Sequence, residues 1–218
     1  MVEPTPVGNS RVPNLRVSNL LVSSLLDRLP MPDSFREWLE DTFEADWREV
    51  SRPTAIGWVA FYVAFLLYAA VSHGGFLVID SANLMVHEAG HLLFSYLGQT
   101  PCLWGGTIFQ WAVPLMLATY FFTQRQTTAF AFSLFFFFEN WLYTATYMAD
   151  ARAMELPLVT VGDPELAEHD WNAIFTSLGV LQHDTMIAGI VRFGGWCGMI
   201  GTVAWLVWRA AKAEEVQS

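Results

Sequence analysis

The stretch Leu84-Met85-Val86-His87-Glu88-Ala89-Gly90-His91-Leu92-Leu93-Phe94 decides how this chain is read. It is apolar except for three ionisable side chains, and these fall in the pattern H-E-x-x-H. Residues four apart on a helix share a face. His87 and His91 then point the same way and can grip one metal ion, with Glu88 beside them as a general base. Burying two imidazoles and a carboxylate among Leu, Met, Val and Phe costs free energy unless a metal or a partner offsets it. The competing reading is a pair of core histidines hydrogen-bonded to neighbours and a glutamate in a salt bridge. The spacing predicts a motif helix over 81–97, capped by Asp80 or Ser81 and ended near Gly98. At about 25 Å it is slightly short for a full bilayer crossing.

Around this helix the chain is unusually apolar. Of its 218 residues, 54% are hydrophobic and 15% charged, with a mean hydropathy of +0.35. Nearly charge-free runs cover 55–79, 107–122, 127–148 and 186–208. Runs of about 20 apolar residues cross a bilayer as helices. The fold expected is therefore all-α, a polytopic membrane helix bundle of four to five spans, with the lipid bilayer as its surroundings. The net charge is −10 with no basic stripe, which excludes nucleic acid as a partner class. Cys102 and Cys197 are too few for a disulfide framework or a cysteine zinc ribbon.

Residues 1–53 read as an N-terminal disordered and amphipathic segment, 54–212 as the bundle and 213–218 as a tail. Within the first segment, 1–13 lacks a packing pattern and 15–26 carries a loose leucine stripe, not the continuous apolar core of a cleavable signal peptide. Ser34 and Glu37 form a capping box that opens an amphipathic helix over 34–50, with Phe35, Trp38, Leu39, Phe43, Trp47 and Val50 opposite an acidic face. That acidity favours docking on the bundle over binding anionic lipid. The first span, 55–79, is interrupted by His73 and Gly74-Gly75, so its helix ends near Val71 and leaves a short re-entry. Thr100 to Gly106 reads as a turn. Helices follow over 105–123, with a kink at Pro114, and over 127–151. After an acidic irregular stretch, 152–171, come a short helix over 170–178 and a last span over 185–209. Arg48 and Arg52 at one end and Arg209 and Lys212 at the other both favour the cytoplasm. Five full crossings cannot satisfy both: either the motif helix does not fully cross, or one end breaks the charge rule.

A two-histidine zinc site needs a third protein ligand and an open position for water. Asp150 is the first candidate, because Glu139, Tyr143, Thr146 and Asp150 make a polar stripe that should face the bundle interior. Its competing role is a helix-end partner of Arg152. His169 is the alternative, an imidazole next to the carboxylate of Asp170 in a loop able to fold over the site; it could instead orient substrate. Glu139 needs a partner, either Arg125 or the metal. His183-Asp184 reads as an interfacial cap. Gln110 and Asn140 are placed to bind a substrate backbone or oxyanion, or else to bond between helices. Gly90, Gly105 and Gly106 permit close helix packing.

His87-Glu88-Ala89-Gly90-His91 inside an apolar helix, followed by Leu92-Leu93-Phe94, resembles the site-2 protease-like, M50-type intramembrane metallopeptidases. The match covers about residues 80–98. It implies Zn2+ held by His87 and His91, Glu88 as base, an aspartate on a later transmembrane helix as third ligand, and a bacterial plasma membrane location. Asp150 is followed by Ala151, not by the family's glycine. Tyr147-x-x-Asp150-Ala151-Arg152, Leu156-Pro157-Leu158 and His169-Asp170-Trp171 resemble small bacterial membrane proteins grouped with these peptidases. The expected function is a zinc-dependent endopeptidase that hydrolyses a bond in or next to a transmembrane segment of a membrane protein or peptide. The alternative is a non-catalytic scaffold or assembly protein binding partner helices. A metal transporter would want more ionisable residues along a crossing path.

Overall fold

A computed structural model describes residues 31–72, 77–156 and 169–217. The expectations for 1–13 and 15–26, and for His73 with Gly74-Gly75, lie outside the described residues. Two compact units divide at Trp47 and Arg48, six residues before the boundary expected at 53–54.

In the first unit, α1 spans Asp33–Glu44. Pro32 stands at its N-cap, and its carbonyl accepts from Phe35 N–H and Arg36 N–H at 3.0 and 3.1 Å. The Ser34–Glu37 capping box does not form: Ser34 is already inside the helix, and no side chain caps the end. Asp33 instead complements the positive end of the helix. Phe35 and Trp38 stack on one face with ring centroids 5.6 Å apart. Ala45 turns extended, at φ −62° and ψ 136°, so the helix stops well before Val50.

In the second unit, α2 spans Arg52–Val71. It starts earlier than the apolar run because Ser51 Oγ caps Thr54 N–H at 3.4 Å, and Pro53 sits in the first turn, where no N–H is needed. It ends at Val71, as the glycine signal implied. Val78 N–H donates to Tyr68 Oη at 3.2 Å. The motif helix, α3, spans Asp80–Ser95. After Gly98, at φ 109°, α4 spans Gln99–Thr123. The turn expected over 100–106 is thus two turns of helix. Pro101 lies in the first turn, where a missing N–H breaks no bond, and Gly105-Gly106 serve packing, not a bend. Next come α5, Thr127–Ala149, α6, Asp170–Ser177, a 3-10 turn, Leu181–His183, and α7, Asp184–Gln217. All ordered elements among the described residues are helical. Among the described residues, three helices are long and apolar enough to cross a membrane: α2, α4 and the stretch Leu181–Ala213 that is mostly α7.

α5 is the central element, packed chiefly on α7 and α4, while α3 packs on α4. Glu139 and Asn140 lie in the middle of α5, each 1% exposed. Tyr62, Phe135, Met199 and Leu206 from α2, α5 and α7 form one core cluster; Met148, Trp171, Ile174, Phe175 and Ala188 from α5, α6 and α7 form another. Arg48 N–H donates to Arg125 O at 2.9 Å, and Phe130 meets Trp205 at 5.1 Å, so the start of α2, the α4–α5 turn and the distal part of α7 share one end. Asp150, Asp170 and the Arg152–Asp184 ion pair, at 2.8 Å, mark the opposite end.

α3 and α4 meet at Gly90 and Gly105. A Cβ on Gly105 would lie 2.7 Å from Phe94 Cβ and 2.9 Å from Gly90 O, and one on Gly90 would collide with the Gly105 carbonyl. Gly105→Val should therefore lower unfolding stability in detergent by about 1–3 kcal/mol. Gly57→Ala, with nothing within 4 Å of its Cβ, should stay within about 0.5 kcal/mol of wild type. Thermal unfolding of both purified variants checks the pair.

Candidate metal centre

The tight α3–α4 crossing fixes both histidines from behind. His91 Nδ1 lies 2.8 Å from the backbone carbonyl of Cys102, and His87 Nδ1 lies 3.1 Å from Gln110 Oε1. A backbone carbonyl can only accept, so His91 carries its hydrogen on Nδ1. In the neutral ring Nε2 then carries the lone pair. Gln110 Oε1 does the same for His87 in the amide orientation assigned here.

Both Nε2 atoms then face the same oxygen. Asp170 Oδ2 lies 2.9 Å from His87 Nε2 and 3.2 Å from His91 Nε2. The three donor atoms all fall within 4.8 Å of one another. Donors around a tetrahedral zinc are roughly 3.3 Å apart. Three converging lone-pair donors form the donor set of a cation site; otherwise protons on both Nε2 atoms must fill that role.

The cradle fits the same ion. A Cβ on Gly106 would lie 2.5 Å from His87 Nε2 and 2.6 Å from His91 Nε2. Only a residue without a side chain leaves room there. The His87 side chain is 4% exposed and that of His91 20%, so water and ligands reach the centre from the His91 side. Glu88 is half-buried.

Asp170 opens α6, whose Trp171, Ile174 and Phe175 anchor it in the core. Its N–H donates to Tyr147 Oη at 3.2 Å, and that hydroxyl lies 3.5 Å from Asp170 Oδ2. Burial works to raise the Asp170 carboxyl, but the two imidazoles facing it outweigh burial and hold it below the usual carboxylate range. It is an anion at neutral pH.

The two residues first weighed as third ligand are placed elsewhere. Asp150 accepts Glu155 N–H at 2.9 Å and Leu156 N–H at 3.1 Å, and its Oδ2 lies 3.3 Å from His169 Nε2. Ending a helix leaves backbone N–H groups beyond it in need of an acceptor, and Asp150 supplies one. Arg152 pairs with Asp184, not with Asp150. His169 caps α6 by accepting Asn172 N–H on Nδ1 at 3.2 Å, and burial pushes its imidazole down. Tyr147 stacks on it at 4.3 Å. Its Nδ1 cap and the Tyr147 stack tie the start of α6 to α5, next to Asp170.

Gln110 Oε1 is taken up by His87, while its buried Nε2 meets no hydrogen-bond partner among the described residues. Asn140 Nδ2 donates to Phe136 O within its own helix, at 2.8 Å. Glu139 meets Asn83 at 2.9 Å instead of Arg125, which sits about 20 Å away along α5 by helical rise. Asp170, the third member of the cluster, was not singled out from the sequence because its neighbour His169 drew the stronger signal. The available clue was a carboxylate at the first position of a helix, a place where backbone geometry fixes its direction.

Compared with protein-family models, curated proteins and solved structures, the chain matches none.

Removing Asp170 should abolish stoichiometric zinc binding, whereas Asp150→Ala should weaken affinity by about 10–100-fold, the usual effect of losing an outer-shell partner. Chelator competition on the two purified variants separates the roles. Equal loss from both would place Asp150 on the metal.

Proposed function

We propose that this chain is a zinc-dependent membrane endopeptidase, with His87, His91 and Asp170 as ligands and Glu88 as general base. The observation that carries the reading is the fixed tautomer of His91. The Cys102 carbonyl takes its Nδ1 hydrogen, so in the neutral ring Nε2 is the ligand atom, converging with His87 Nε2 and Asp170 Oδ2 within 4.8 Å. Two nitrogens and one oxygen suit zinc and leave a fourth position for water. The likeness of the motif helix to site-2 protease-like enzymes supports the same reading.

Zinc bound there would polarise a peptide carbonyl and acidify a water molecule. The chain's own groups do the rest. Glu88 takes the proton from the attacking water and returns it to the departing nitrogen. Tyr147 holds Asp170 in register by accepting its N–H. Gln110 and the Cys102 carbonyl hold the two imidazoles in one tautomer each. Access from the His91 side admits an extended peptide at the rim of the bundle.

In the membrane reading, α2, α4, α5 and α7 cross, and α3 is a half-span. α5 has the length to cross at 23 residues, and α3, at 16 residues, does not. Four crossings put Arg48, Arg52, Arg125, Arg209 and Lys212 on one side, which satisfies the charge rule at both termini. The centre then lies near the opposite face, suited to a bond just outside a substrate's transmembrane segment. The resemblance of the motif helix, not the geometry, suggests a bacterial plasma membrane as the setting.

Metal analysis of detergent-purified protein tests the proposal. Wild type should hold about one zinc per chain, and His87→Ala should lose it. Glu88→Gln should keep the zinc and lose about 100-fold or more of peptidase activity on a reporter with a juxtamembrane cleavage site. Wild type without zinc, or Glu88→Gln with full activity, overturns the reading and favours the scaffold.

A further inference from the structure

One turn before the metal ligands, α3 carries a second buried polar group that the proposed reaction does not use. Asp80, Asn83 and His87 lie on one face of α3, and the first two meet Glu139 of α5. Asn83 Nδ2 donates to Asp80 Oδ1 at 3.2 Å and to Glu139 Oε2 at 2.9 Å. The Asp80 and Glu139 carboxyls also sit against each other. Asp80 is 5% exposed, Asn83 1% and Glu139 1%. No Lys, Arg or His pairs with either acid among the described residues, and Glu139 Oε1 meets no donor. Tyr143, one turn along α5, is within electrostatic range of Asp80 but is uncharged at neutral pH as an ordinary phenol.

Two carboxylates in contact, away from water and without a counter-ion, cannot both stay ionised. The surroundings decide which one does. Asp80 begins α3, where the helix dipole favours an anion, and its Oδ2 accepts Leu77 N–H at 2.6 Å. Glu139 lies in mid-helix, with no free backbone N–H in reach. We propose that Asp80, Asn83 and Glu139 form a buried proton-binding site, in which a neutral Glu139 donates to the Asp80 carboxylate and Asn83 bridges both. Every polar hydrogen then has an acceptor: the Glu139 proton goes to Asp80, and the two Asn83 Nδ2 hydrogens go one to each acid. The group carries a single negative charge in place of two. By helical rise it lies about 6–10 Å from His87, so it also limits the negative charge beneath the metal centre. The proposal does not depend on zinc or on peptidase activity.

Infrared spectroscopy of the wild-type protein in detergent at neutral pH tests it. A carbonyl stretch of a protonated carboxylic acid should be present, should shift in deuterated water, and should disappear in Glu139→Gln. Glu139→Gln should melt close to wild type, because the amide reproduces the donor of a neutral acid. Asp80→Asn should shift or remove the same band if that variant is used instead. Absence of the band in wild type overturns the proposal. So does a melting temperature that rises with sodium or potassium in wild type but not in Glu139→Gln, since a monovalent cation would then be the occupant. The metal content of Glu139→Gln, measured alongside, should remain that of wild type.

Discussion

Everything at the metal centre depends on how closely two backbones approach. α3 and α4 touch at Gly90 and Gly105, where any side chain would strike a carbonyl or the Phe94 ring stem. That contact lays the next residue, Gly106, over the two imidazoles and brings the Cys102 carbonyl within bonding distance of His91. A wider crossing would free the His91 ring to rotate, and the tautomer that presents Nε2 would no longer be enforced. In a bundle whose surroundings are as apolar as its side chains, such close packing supplies association that the hydrophobic effect does not.

The helical bundle was legible because its signals are local. Apolar runs, the four-residue spacing of His87 and His91 and the Gly98 stop all act within a turn or two of the chain. Local rules also misled in places. Thr100-Pro-Cys-Leu-Trp-Gly-Gly106 has the composition of a turn, yet proline at a helix start and glycines at a crossing are both compatible with α4. Ser34 and Glu37 have the spacing of a capping box, but the preceding proline already ends the extended chain and starts α1 one residue sooner.

The third ligand was the least legible feature, for a physical reason. His87 and Asp170 are 83 residues apart. No periodicity links them. Their meeting is settled by where Trp171, Ile174 and Phe175 seat α6 against α5 and α7. The polar stripe on α5 was real, but its members serve different ends: Glu139 faces Asn83, Thr146 accepts from Arg192, and Asp150 caps the chain beyond the helix. A stripe tells that a helix face avoids lipid. It does not tell which of its residues touches an ion.

The long separation between the histidines and Asp170 also sets an order of events during synthesis. The motif helix leaves the ribosome well before α6 exists, so a half-made chain offers two nitrogens and lacks the oxygen. Such a pair holds a divalent ion only weakly. Tight capture must wait until α5 has been laid down and the short helix has docked. On the proposed reading, the late arrival of one carboxylate leaves the donor set incomplete until the rest of the molecule is in place.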